Sequence, residues 1–588
     1  MGEKIVAVIG ARLNSSRLPR KQLLPLAGAP MIEHIVRRLS KISNIDEIVL
    51  ATTADDYNRN LVTWAEKAGV NCYAHVGDVD DLVGRIDSVA KAQSASILVY
   101  ICGDSPLIEP STIETLLTTL INTPKADWAR MEELPEGQTY IHEGFALYRR
   151  RFWDEMVKAA VVPFEKEHVG AVFHVLEKVM PTSTAYGQED PVFHCIDHRI
   201  SVDTTSDYDF MRRIYDDWYA AHESATIVDL RWVINRLLAE PSLRAINAHV
   251  HQKAVAETSA KIILLTQADS KTGLGHLRRM TVAAKQLQDH LAASVRIVIL
   301  GEEQQLDWLD ILPHEWRPAG ELADVFTELC DEVPSAMLLD FQCLSEGLLR
   351  VVEQMRGQGT KFIAVDAIPD GDCFDGYYIP CFHVGDRHKA LLKKRLAYGW
   401  DSYLLHPPAR EKRENETAAG NRLIVLTGGS DFFGLGQHWP AMLDEALPAD
   451  VAITWVQGPY AQPPDLTGVS ESRQFTVEKS PSDLPGLIAE HNLALSVYGV
   501  SFFECLQAEL PTVVYVPENR AETEEIEALK EENVCLLAND ASACIGVLAD
   551  LVGSDTLKAR LATVCSDLWG KRDNEPPLVA LVKHIGQL

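Results

Sequence analysis

The chain has 588 residues, more than one hydrophobic core usually supports, so its length predicts about two to four domains. Apolar residues make up 46% and charged residues 24%, values typical of folded globular proteins, which excludes disorder on a large scale. The formal net charge of -29 repels polyanions over most of the surface and argues against a nucleic-acid partner.

The N-terminus lacks the apolar stretch and cleavage pattern of a secretory signal, and no apolar run has the length needed to span a membrane. We therefore expect a cytoplasmic protein with no membrane partner. The 11 cysteines include no C-x-x-C pair, which argues against zinc-ribbon and thioredoxin motifs. Cys373, Cys381 and His383 lie close in sequence but lack the spacing of a metal site.

Apolar runs rich in Val, Ile and Leu alternate with helix-like segments along the chain. The runs are KIVAVIG, DEIVLATT, SILVYICGD, KIILLTQ, VRIVIL, SAMLLD, KFIAVD, RLIVLTGG, VAITWVQG, LALSVYG and PTVVYVP. Continuous rather than alternating hydrophobicity predicts strands covered on both faces, and the interleaved helices predict parallel α/β sheets.

Two seams interrupt this alternation. A helical stretch at 228–256 ends before a new strand at Lys261, and the charged stretch 406–422 precedes another strand. We predict an N-terminal domain over residues 1–255 and a C-terminal module of two α/β halves, 260–410 and 420–588.

The first apolar run leads into GARLNSSRLPRKQ, a basic loop in an acidic chain. Open α/β sheets bind ligands at the C-terminal ends of their strands, so Arg12, Arg17, Arg20 and Lys21 are candidates for neutralising a triphosphate. A solvated basic loop without a ligand is the alternative.

This loop resembles the ARxxSxRLPxK signature of the CMP-sugar synthetases and of the cytidylyltransferases linked to spore coat polysaccharide synthesis. The resemblance implies a Rossmann-like, GT-A-like nucleotidyltransferase domain that transfers CMP from CTP to an acidic sugar. It assigns catalytic roles to Lys21 and Arg12, while Gly10 and Arg20 depart from the usual residues. The nucleotide-binding residues that it implies are Ala11, Arg12, Ser15, Arg17 and Lys21.

Two further segments extend this resemblance and provide carboxylates. ICGDSPLIEP resembles the family's TGDCPLIDP, and HRISVDTTSDYDF resembles its RLTVDxxxD segment. Asp104 follows a buried strand and offers the hard oxygen that Mg²⁺ prefers. The resemblance implies that Asp104 and Asp203 hold Mg²⁺ and that Asp207 has a supporting role. A helix cap is the alternative for Asp104, and the sequence identifies no general base.

Three other segments of this region carry weaker signals. Asp81 and Arg85 in GDVDDLVGR match a family stretch, with a helix start and a surface pair as the equal alternative. YIHEGFALYRRRFW resembles the segment that lines the acceptor-sugar pocket. For His168 in EKEHVG, a structural role is favoured over a catalytic one.

The run KIILLTQ leads into ADSKTGLGHLRRMTV, where Gly273 and Gly275 permit a tight turn before a helix. His276 at that helix start is a candidate base, and a histidine without a special role is the alternative. A dinucleotide fingerprint would need glycine at Arg278, so dinucleotide binding is weakly supported.

This stretch resembles the GxGHxxR motif of the nucleotide-sugar hydrolases of pseudaminic acid synthesis, which have a GT-B architecture. The resemblance implies that His276 activates water against a UDP-linked sugar and that Asp269 is a second catalytic residue. Arg278 and Arg279 compete for the arginine of the motif.

Two later loops resemble motifs of the same family, LTGGSD and YGVSFFECLQAELPTVVYVP. Amide-rich loops and helix starts bind phosphates, so Ser501 and the loop residues are candidates for a diphosphate. Glu504 can accept both ribose hydroxyls, and its alternative is a favourable acid near a helix N-terminus. The loop residues concerned are Gly428, Gly429 and Ser430.

DFQCLSEG and VDAIPD depart from the hydrolase family where it recognises the sugar. The sequence therefore predicts a bifunctional enzyme acting on CTP, a nonulosonic-type acidic sugar and a UDP-sugar. The alternatives are fusion to a glycosyltransferase and a second module that binds nucleotide sugars without turnover. The resemblance to CMP-sugar synthetases, which often dimerise, is compatible with a homodimer through the first domain. The condensation step between the two implied reactions is missing from this chain, which is compatible with a sugar-acid synthase as a partner.

Overall fold

The computed structural model describes residues 3–142, 144–173, 176, 182–251, 259–269, 273–306, 308–341, 346–368, 373–385, 389, 395–406, 420–481, 483–517, 523–569 and 575–586. The chain forms two compact units, Met1–Gln252 and Lys253–Leu588, which we call the first and second unit. The predicted domain limits at residues 255 and 410 lie outside the described residues, as does most of the charged seam.

The first unit is an α/β unit built on one large sheet. Its described strands are β1 (Ile5–Gly10), β2 (Pro25–Leu26), β3 (Ala29–Pro30), β4 (Glu47–Thr53), β5 (Asn71–His75), β6 (Ile97–Cys102), β7 (Trp128–Met131), β8 (Phe145–Arg149) and β9 (Thr184–Gly187). Its described helices are α1 (Met31–Leu39), α2 (Arg59–Ala68), α3 (Leu82–Ala92), α4 (Pro110–Asn122), α5 (Arg150–Ala159), α6 (Pro163–Glu167), α7 (Thr205–Tyr219), α8 (Leu230–Ala239) and α9 (Pro241–Ala245).

The strand order in this sheet is β5-β4-β1-β6-β8-β7-β9. The pairs from β5 to β6 are parallel, whereas β8 is antiparallel to both β6 and β7. The predicted parallel pairing is confirmed for the strands that the apolar runs form, β4, β1 and β6, but it does not extend to β8, which is not one of those runs. The strand order changes direction between β1 and β6, and ligands of open α/β sheets bind at such a point.

Both faces of β1 are buried, as its continuous hydrophobicity predicts. Ile5, Ala7 and Ile9 pack into one core cluster, and Val6 and Val8 pack into the cluster on the opposite face. Burying an Ile or Val side chain stabilises a fold by about 1.5–3 kcal/mol. The central strands are thereby fixed, and the loops at their C-terminal ends start from a rigid edge.

The second unit contains two sheets. Its described strands are β10 (Lys261–Ala268), β11 (Ser294–Gly301), β12 (His314–Arg317), β13 (Ala336–Asp340), β14 (Lys361–Val365), β15 (Gly376–Tyr378), β16 (Leu396–Ala397), β17 (Arg422–Leu426), β18 (Ala452–Gln457), β19 (Phe475–Lys479), β20 (Leu493–Val497), β21 (Thr512–Tyr515) and β22 (Leu536–Ala538). Its described helices are α10 (Gly275–Leu291), α11 (Leu322–Glu332), α12 (Glu346–Gly357), α13 (Trp439–Ala446), α14 (Leu484–Ala489), α15 (Val500–Gln507), α16 (Thr523–Glu532), α17 (Ala541–Val552), α18 (Asp555–Trp569) and α19 (Pro577–Gly586).

The two sheets have the orders β12-β11-β10-β13-β14-β15-β16 and β19-β18-β17-β20-β21-β22, with parallel pairing between neighbours. Each sheet starts at its centre and extends to both sides, which is the doubly wound Rossmann-like arrangement. The prediction of two Rossmann-like halves in a GT-B module is confirmed. Within the described residues, no helix combines the length and the apolar character that crossing a membrane requires.

Candidate functional site

Two loops meet where β1 and β6 end side by side. N of Gly103 donates a 3.0 Å hydrogen bond to the carbonyl oxygen of Gly10. A Cβ at position 103 would lie 2.7 Å from that oxygen and 2.8 Å from Cβ of Ala11, so the close approach requires glycine. Ala11 is buried, and Oγ of Ser15 accepts a 3.3 Å hydrogen bond from N of Leu18 in the same loop.

Lys21 lies at the centre of this site and is only 7% exposed. Its Nζ donates to Oδ2 of Asp104 at 3.0 Å, to Oδ1 of Asp203 at 2.8 Å and to the carbonyl oxygen of Val202 at 2.8 Å. N of Val202 in turn donates to the carbonyl oxygen of Asp104 at 2.9 Å. The structure thus brings one predicted cation and both predicted metal ligands to one point.

The charges in this cluster stabilise one another. Burial alone would lower the pKa of Lys21, but the carboxylates of Asp104 and Asp203 raise it above its ordinary value. Burial alone would raise the pKa of Asp203, but Lys21, Arg17 and Arg199 hold it well below its ordinary value. Arg17 lies 3.4 Å from Oδ1 of Asp203, and Arg199 pairs with Oδ2. Lys21 and Asp203 are therefore both ionised at neutral pH.

Asp207 supports the cluster from the first turn of α7. Its Oδ2 accepts hydrogen bonds from N of Asp203 at 3.0 Å and from N of Thr204 at 3.1 Å. Its Oδ1 accepts a 3.0 Å hydrogen bond from Asn247 and lies 3.1 Å from Nε of Arg199. These contacts fix the backbone beside Asp203 and give Asp207 a structural role.

Arg12 points away from the Lys21 cluster. Its guanidinium pairs with Asp80, donates to the carbonyl oxygen of Val79 at 3.1 Å and lies 3.4 Å from Oε1 of Glu167. The structure therefore does not bring Arg12 together with Lys21, although both belong to one basic loop.

Three other residues singled out from the sequence have structural contacts. Asp81 caps α3 and accepts a 2.7 Å hydrogen bond from the first turn of that helix. Arg85 is 2% exposed and donates to the carbonyl oxygen of Val79 at 2.8 Å. His168 ends α6, where its ring centroid lies 4.9 Å from that of Phe164.

Asp104 and Asp203 form a donor set that suits Mg²⁺. Both carboxylates reach the same ammonium group, so one cation can contact both of them. Mg²⁺ is commonly bound by one or two carboxylates together with water and substrate phosphates. Across the described part of the chain, no group of three or more His, Cys, Asp or Glu side chains is arranged to hold a metal. The donor set thus fits an ion that arrives with a nucleotide.

The segment that resembles an acceptor pocket contains a buried polar cluster. Nε2 of His142 lies 2.7 Å from Oε2 of Glu189, Nε2 of His194 lies 3.0 Å from Oε1, and Oγ1 of Thr112 donates to Oε2 at 2.6 Å. Burial alone would raise the pKa of Glu189, but His142, Thr112 and His194 lower it. The cluster fixes the chain before β8 against α4, which follows the Asp104 loop.

In the second unit, Asp269 and Gly273 lie close together between β10 and α10. N of Gly273 donates to the carbonyl oxygen of Asp269 at 2.8 Å, and Gly273 has φ +71°, a conformation that favours glycine. Helix α10 begins at Gly275, so its unpaired first-turn amides lie at the end of β10.

His276 contacts a carboxylate that the sequence argument missed. Its Nδ1 lies 2.7 Å from Oδ1 of Asp340, the last residue of β13. The register places Asp340 beside Thr266 of the neighbouring β10. When Nδ1 donates its proton to Asp340, Nε2 carries the lone pair of a base. An ionisable residue at the end of the buried run SAMLLD was the available signal.

Arg279 holds Asp340 in place. Its Nε donates to Oδ2 of Asp340 at 2.7 Å, its Nη1 donates to Oδ2 of Asp366 at 2.7 Å, and its Nη2 lies 2.8 Å from Nδ1 of His276. Burial alone would raise the pKa of Asp340, but Arg279 and His276 lower it. Asp340 is thus a buried and permanent carboxylate.

A cleft of about 1140 Å³, its open mouth included, lies between the loops after β10, β17 and β20. Its apolar side includes Phe432, Phe433 and Val456, and Arg278 lines it from α10. Asp269 and His276 lie near the same loop without lining the cleft. The predicted nucleotide-binding residues that line it together are Gly273, Gly275, Gly428, Gly429, Ser430 and Ser501.

Glu504 lies one turn into α15, below Ser501. It is 4% exposed, and its Oε2 has no hydrogen-bond partner in the described part of the chain. Burial raises the pKa of Glu504, while the charge of Arg278 and a hydrogen bond with Ser501 oppose the shift. A buried acceptor without a partner beside a cleft is suited to a ligand hydroxyl.

Comparison with known proteins gives a family match for the first unit. Residues 6–224 match the cytidylyltransferase family model. The chain is 26% identical over 254 residues to an uncharacterized protein of Methanocaldococcus jannaschii, covering 43% of this chain and 98% of that protein. It is 30% identical over 161 residues to 3-deoxy-manno-octulosonate cytidylyltransferase of Geobacter sulfurreducens, covering 25% of this chain and 62% of that relative. The first unit is thus similar to cytidylyltransferases.

A similar solved structure covers about half of the chain. The co-structure of MnaA from S. aureus with UDP covers 56% of this chain and 96% of that chain, with 13% identity and a TM-score of 0.40.

Proposed function

We propose that the first unit transfers CMP from CTP to an acidic sugar of the nonulosonic type and releases pyrophosphate. The family match of residues 6–224 supports cytidylyl transfer, and the named Geobacter relative supports an acidic sugar as acceptor. The observation that carries the proposal is the convergence of Lys21, Asp104 and Asp203 beside the contact between Gly10 and Gly103.

In the proposed reaction, the acceptor hydroxyl oxygen attacks the α-phosphorus of CTP and its proton passes to water. The bond between that phosphorus and the pyrophosphate breaks. Lys21 and Arg17 bind phosphate oxygens and orient the triphosphate. Arg12 also binds phosphate oxygens once its ion pair with Asp80 has broken. Asp104 and Asp203 would hold Mg²⁺, which when bound would supply charge neutralisation at the phosphates.

The test is pyrophosphate release by the full chain with CTP, Mg²⁺ and a panel of nonulosonic acids. We expect release to need all three components. Asp104→Asn and Asp203→Asn should each raise the half-saturating Mg²⁺ concentration about tenfold or more, because each removes a ligand oxygen. Asp154→Asn, which removes a surface pair with Arg150, is the control. Unchanged Mg²⁺ dependence in both ligand variants would contradict the proposed roles.

For the second unit, we infer hydrolysis of a UDP-linked amino sugar to free sugar and UDP. The His276–Asp340 pair beside the amide-rich cleft supports this inference. Nε2 of His276 removes a proton from water, the water oxygen attacks the anomeric carbon, and the bond from that carbon to the diphosphate breaks. The loop amides and Ser501 bind the departing diphosphate, and Glu504 accepts the ribose hydroxyls.

Sugar transfer and binding without turnover are the competing functions for the second unit. The discriminating experiment incubates the full chain with UDP-sugars and no acceptor while following released UDP. Hydrolysis predicts release that His276→Ala abolishes, with His290→Ala in the last turn of the same helix as the control. Release only with an added acceptor indicates transfer, and binding without release under both conditions indicates a binding module.

The two proposed products do not connect directly, since a condensation must convert a free sugar into a sugar acid. We propose that a sugar-acid synthase docks on this protein to supply that step, and that the first unit forms a homodimer. Affinity purification that recovers no synthase contradicts the first idea, and a monomeric mass in solution contradicts the second.

A further inference from the structure

Two adjacent arginines at the start of α10 have different environments. The guanidinium of Arg279 donates hydrogen bonds to the carboxylates of Asp340 and Asp366. Arg278 lines the cleft, and its guanidinium carbon lies 5.1 Å from the ring centroid of Trp308. Throughout the described residues, no carboxylate lies within ion-pair distance of Arg278. A guanidinium group that lies against an aromatic ring in the wall of a cleft, without a carboxylate partner among the described residues, is suited to an anionic ligand.

Two glycine loops line the cleft. The loop at Gly273–Gly275 comes from one sheet, and the loop at 428–430 comes from the other. Their close approach is direct, since a Cβ at Gly429 would lie 3.4 Å from N of Leu274. Helices α10 and α15 both begin at this cleft and add unpaired amides.

A second observation also points to a ligand in this cleft. Among the described residues, the buried Oε2 of Glu504 has no hydrogen-bond partner, and the charge of Arg278 acts to lower the pKa of Glu504. The two side chains come from different sheets: Arg278 lines the cleft, and Glu504 lies one turn beyond Ser501, which also lines it. Arg278 and the two glycine loops line the cleft, so they are available to the phosphates of a nucleoside whose ribose reaches Glu504.

We propose that Arg278 is a specificity-determining residue that selects a nucleoside diphosphate over a nucleoside monophosphate. The inference rests on the proposed nucleotide-sugar function of the second unit and deepens it. A sugar activated by CMP carries one phosphate, so the second unit does not consume the product proposed for the first unit. The two units then act on different nucleotide sugars in separate steps.

The test measures binding of uridine, UMP and UDP to the full chain by calorimetry. Uridine nucleotides are chosen because the ligand proposed for the first unit carries cytosine. Wild-type protein should bind UDP at least about tenfold more tightly than UMP, and Arg278→Ala should weaken UDP binding about 10- to 100-fold while leaving uridine affinity unchanged. Arg278→Lys should restore part of the loss, and Arg296→Ala, which removes a charge paired with Glu332, is the control.

Different results separate this inference from the function on which it rests. If the wild type binds UDP and Arg278→Ala binds it equally well, Arg278 does not select the diphosphate although nucleotide binding stands. Equal affinities of the wild type for UMP and UDP also overturn the inference. If the wild type binds no uridine nucleotide, the nucleotide-sugar function of the second unit is itself overturned. An unchanged unfolding midpoint of Arg278→Ala shows that the variant is folded.

Discussion

Nδ1 of His276 lies 2.7 Å from Oδ1 of Asp340, and the two residues are 64 positions apart in sequence. The contact joins the start of α10 to the end of β13, across the point where the sheet order changes direction. The buried carboxylate can hold one tautomer of the imidazole and stabilise the imidazolium that forms when the ring accepts a proton. This geometry makes Asp340 a positioning residue for the proposed base.

Asp340→Asn should lower kcat for the proposed UDP-sugar hydrolysis about 10²- to 10⁴-fold, because the ring loses both its orientation and its neighbouring negative charge. UDP affinity should be nearly unchanged. Steady-state kinetics near neutral pH and calorimetry with UDP provide the measurements.

Asp366→Asn is the matched control, since Asp366 contacts Arg279 without contacting His276. It should leave kcat nearly unchanged. A loss of UDP affinity that accompanies the fall in kcat of Asp340→Asn would mean that Asp340 only supports the fold.

The sequence predicted well where the strands lie and end, and poorly in which direction the side chains after them point. Every apolar run named from the sequence forms a strand, and the loops predicted to bind ligands follow the ends of those strands. Hydrophobic periodicity reports burial along the backbone, which is why this part succeeds. The same pattern carries no information on which rotamer a loop residue adopts, so it could not show that Lys21 turns towards Asp104 while Arg12 turns towards Asp80.

Asp340 shows a different kind of limit. It ends a buried strand just as Asp104 follows one, so both carboxylates lie at the C-terminal end of a buried strand. It was missed because the surrounding DFQCLSEG departs from the family motif. Arg278 and Arg279 could not be told apart either, since neighbouring helical residues point in different directions and only the packing shows which one faces the cleft.

Lys21→Met should destabilise the first unit by about 1–3 kcal/mol near neutral pH, because it leaves two carboxylates without their shared cation. The lowered pKa of Asp203 means that its stabilisation is present above its ordinary value of about 3.9 and is lost as pH falls through the folded value. The raised pKa of Lys21 means that its stabilisation is present below about 10.4 and is lost as pH rises through the folded value. The difference from wild type should therefore be largest between about pH 4 and 10.

Calorimetric unfolding across this pH range measures the effect, and the transition that shifts on addition of CTP identifies the first unit. Lys158→Met is the control, since Lys158 and its partner Glu155 are both exposed and their pair should contribute little to stability. A destabilisation by Lys21→Met that stays constant down to pH 3 would contradict the ion-pair account.

Glu504→Gln should stabilise the second unit and weaken its binding of nucleosides. Burial raises the pKa of Glu504, so stability falls as pH rises from the ordinary value of about 4.3 to the folded value. The amide removes this dependence, and the gain in unfolding midpoint should be present at pH 8 and absent near pH 4. Uridine affinity should fall about tenfold, because one acceptor for the ribose hydroxyls is lost.

Glu531→Gln on the exposed face of α16 should change neither the midpoint nor the affinity. If Glu504→Gln lowers the midpoint at pH 8, the buried carboxylate is stabilised by a partner and is not free for a ligand.

Gly103→Ala should weaken CTP binding by the first unit without affecting the second. The added Cβ would meet the carbonyl oxygen of Gly10 at 2.7 Å and Cβ of Ala11 at 2.8 Å, and both neighbours are held by the sheet. Relief of this overlap must separate the ends of β1 and β6, at a cost of about 1–3 kcal/mol. The separation moves the basic loop away from Asp104, so we expect a loss of CTP affinity with unchanged UDP affinity, both measured by calorimetry.

Gly546→Ala is the matched control, because position 546 lies in α17 with open space around its Cβ and alanine favours the helix by about 1 kcal/mol. Equal CTP affinity in Gly103→Ala and wild type would show that the proposed nucleotide site does not depend on this approach of the two loops.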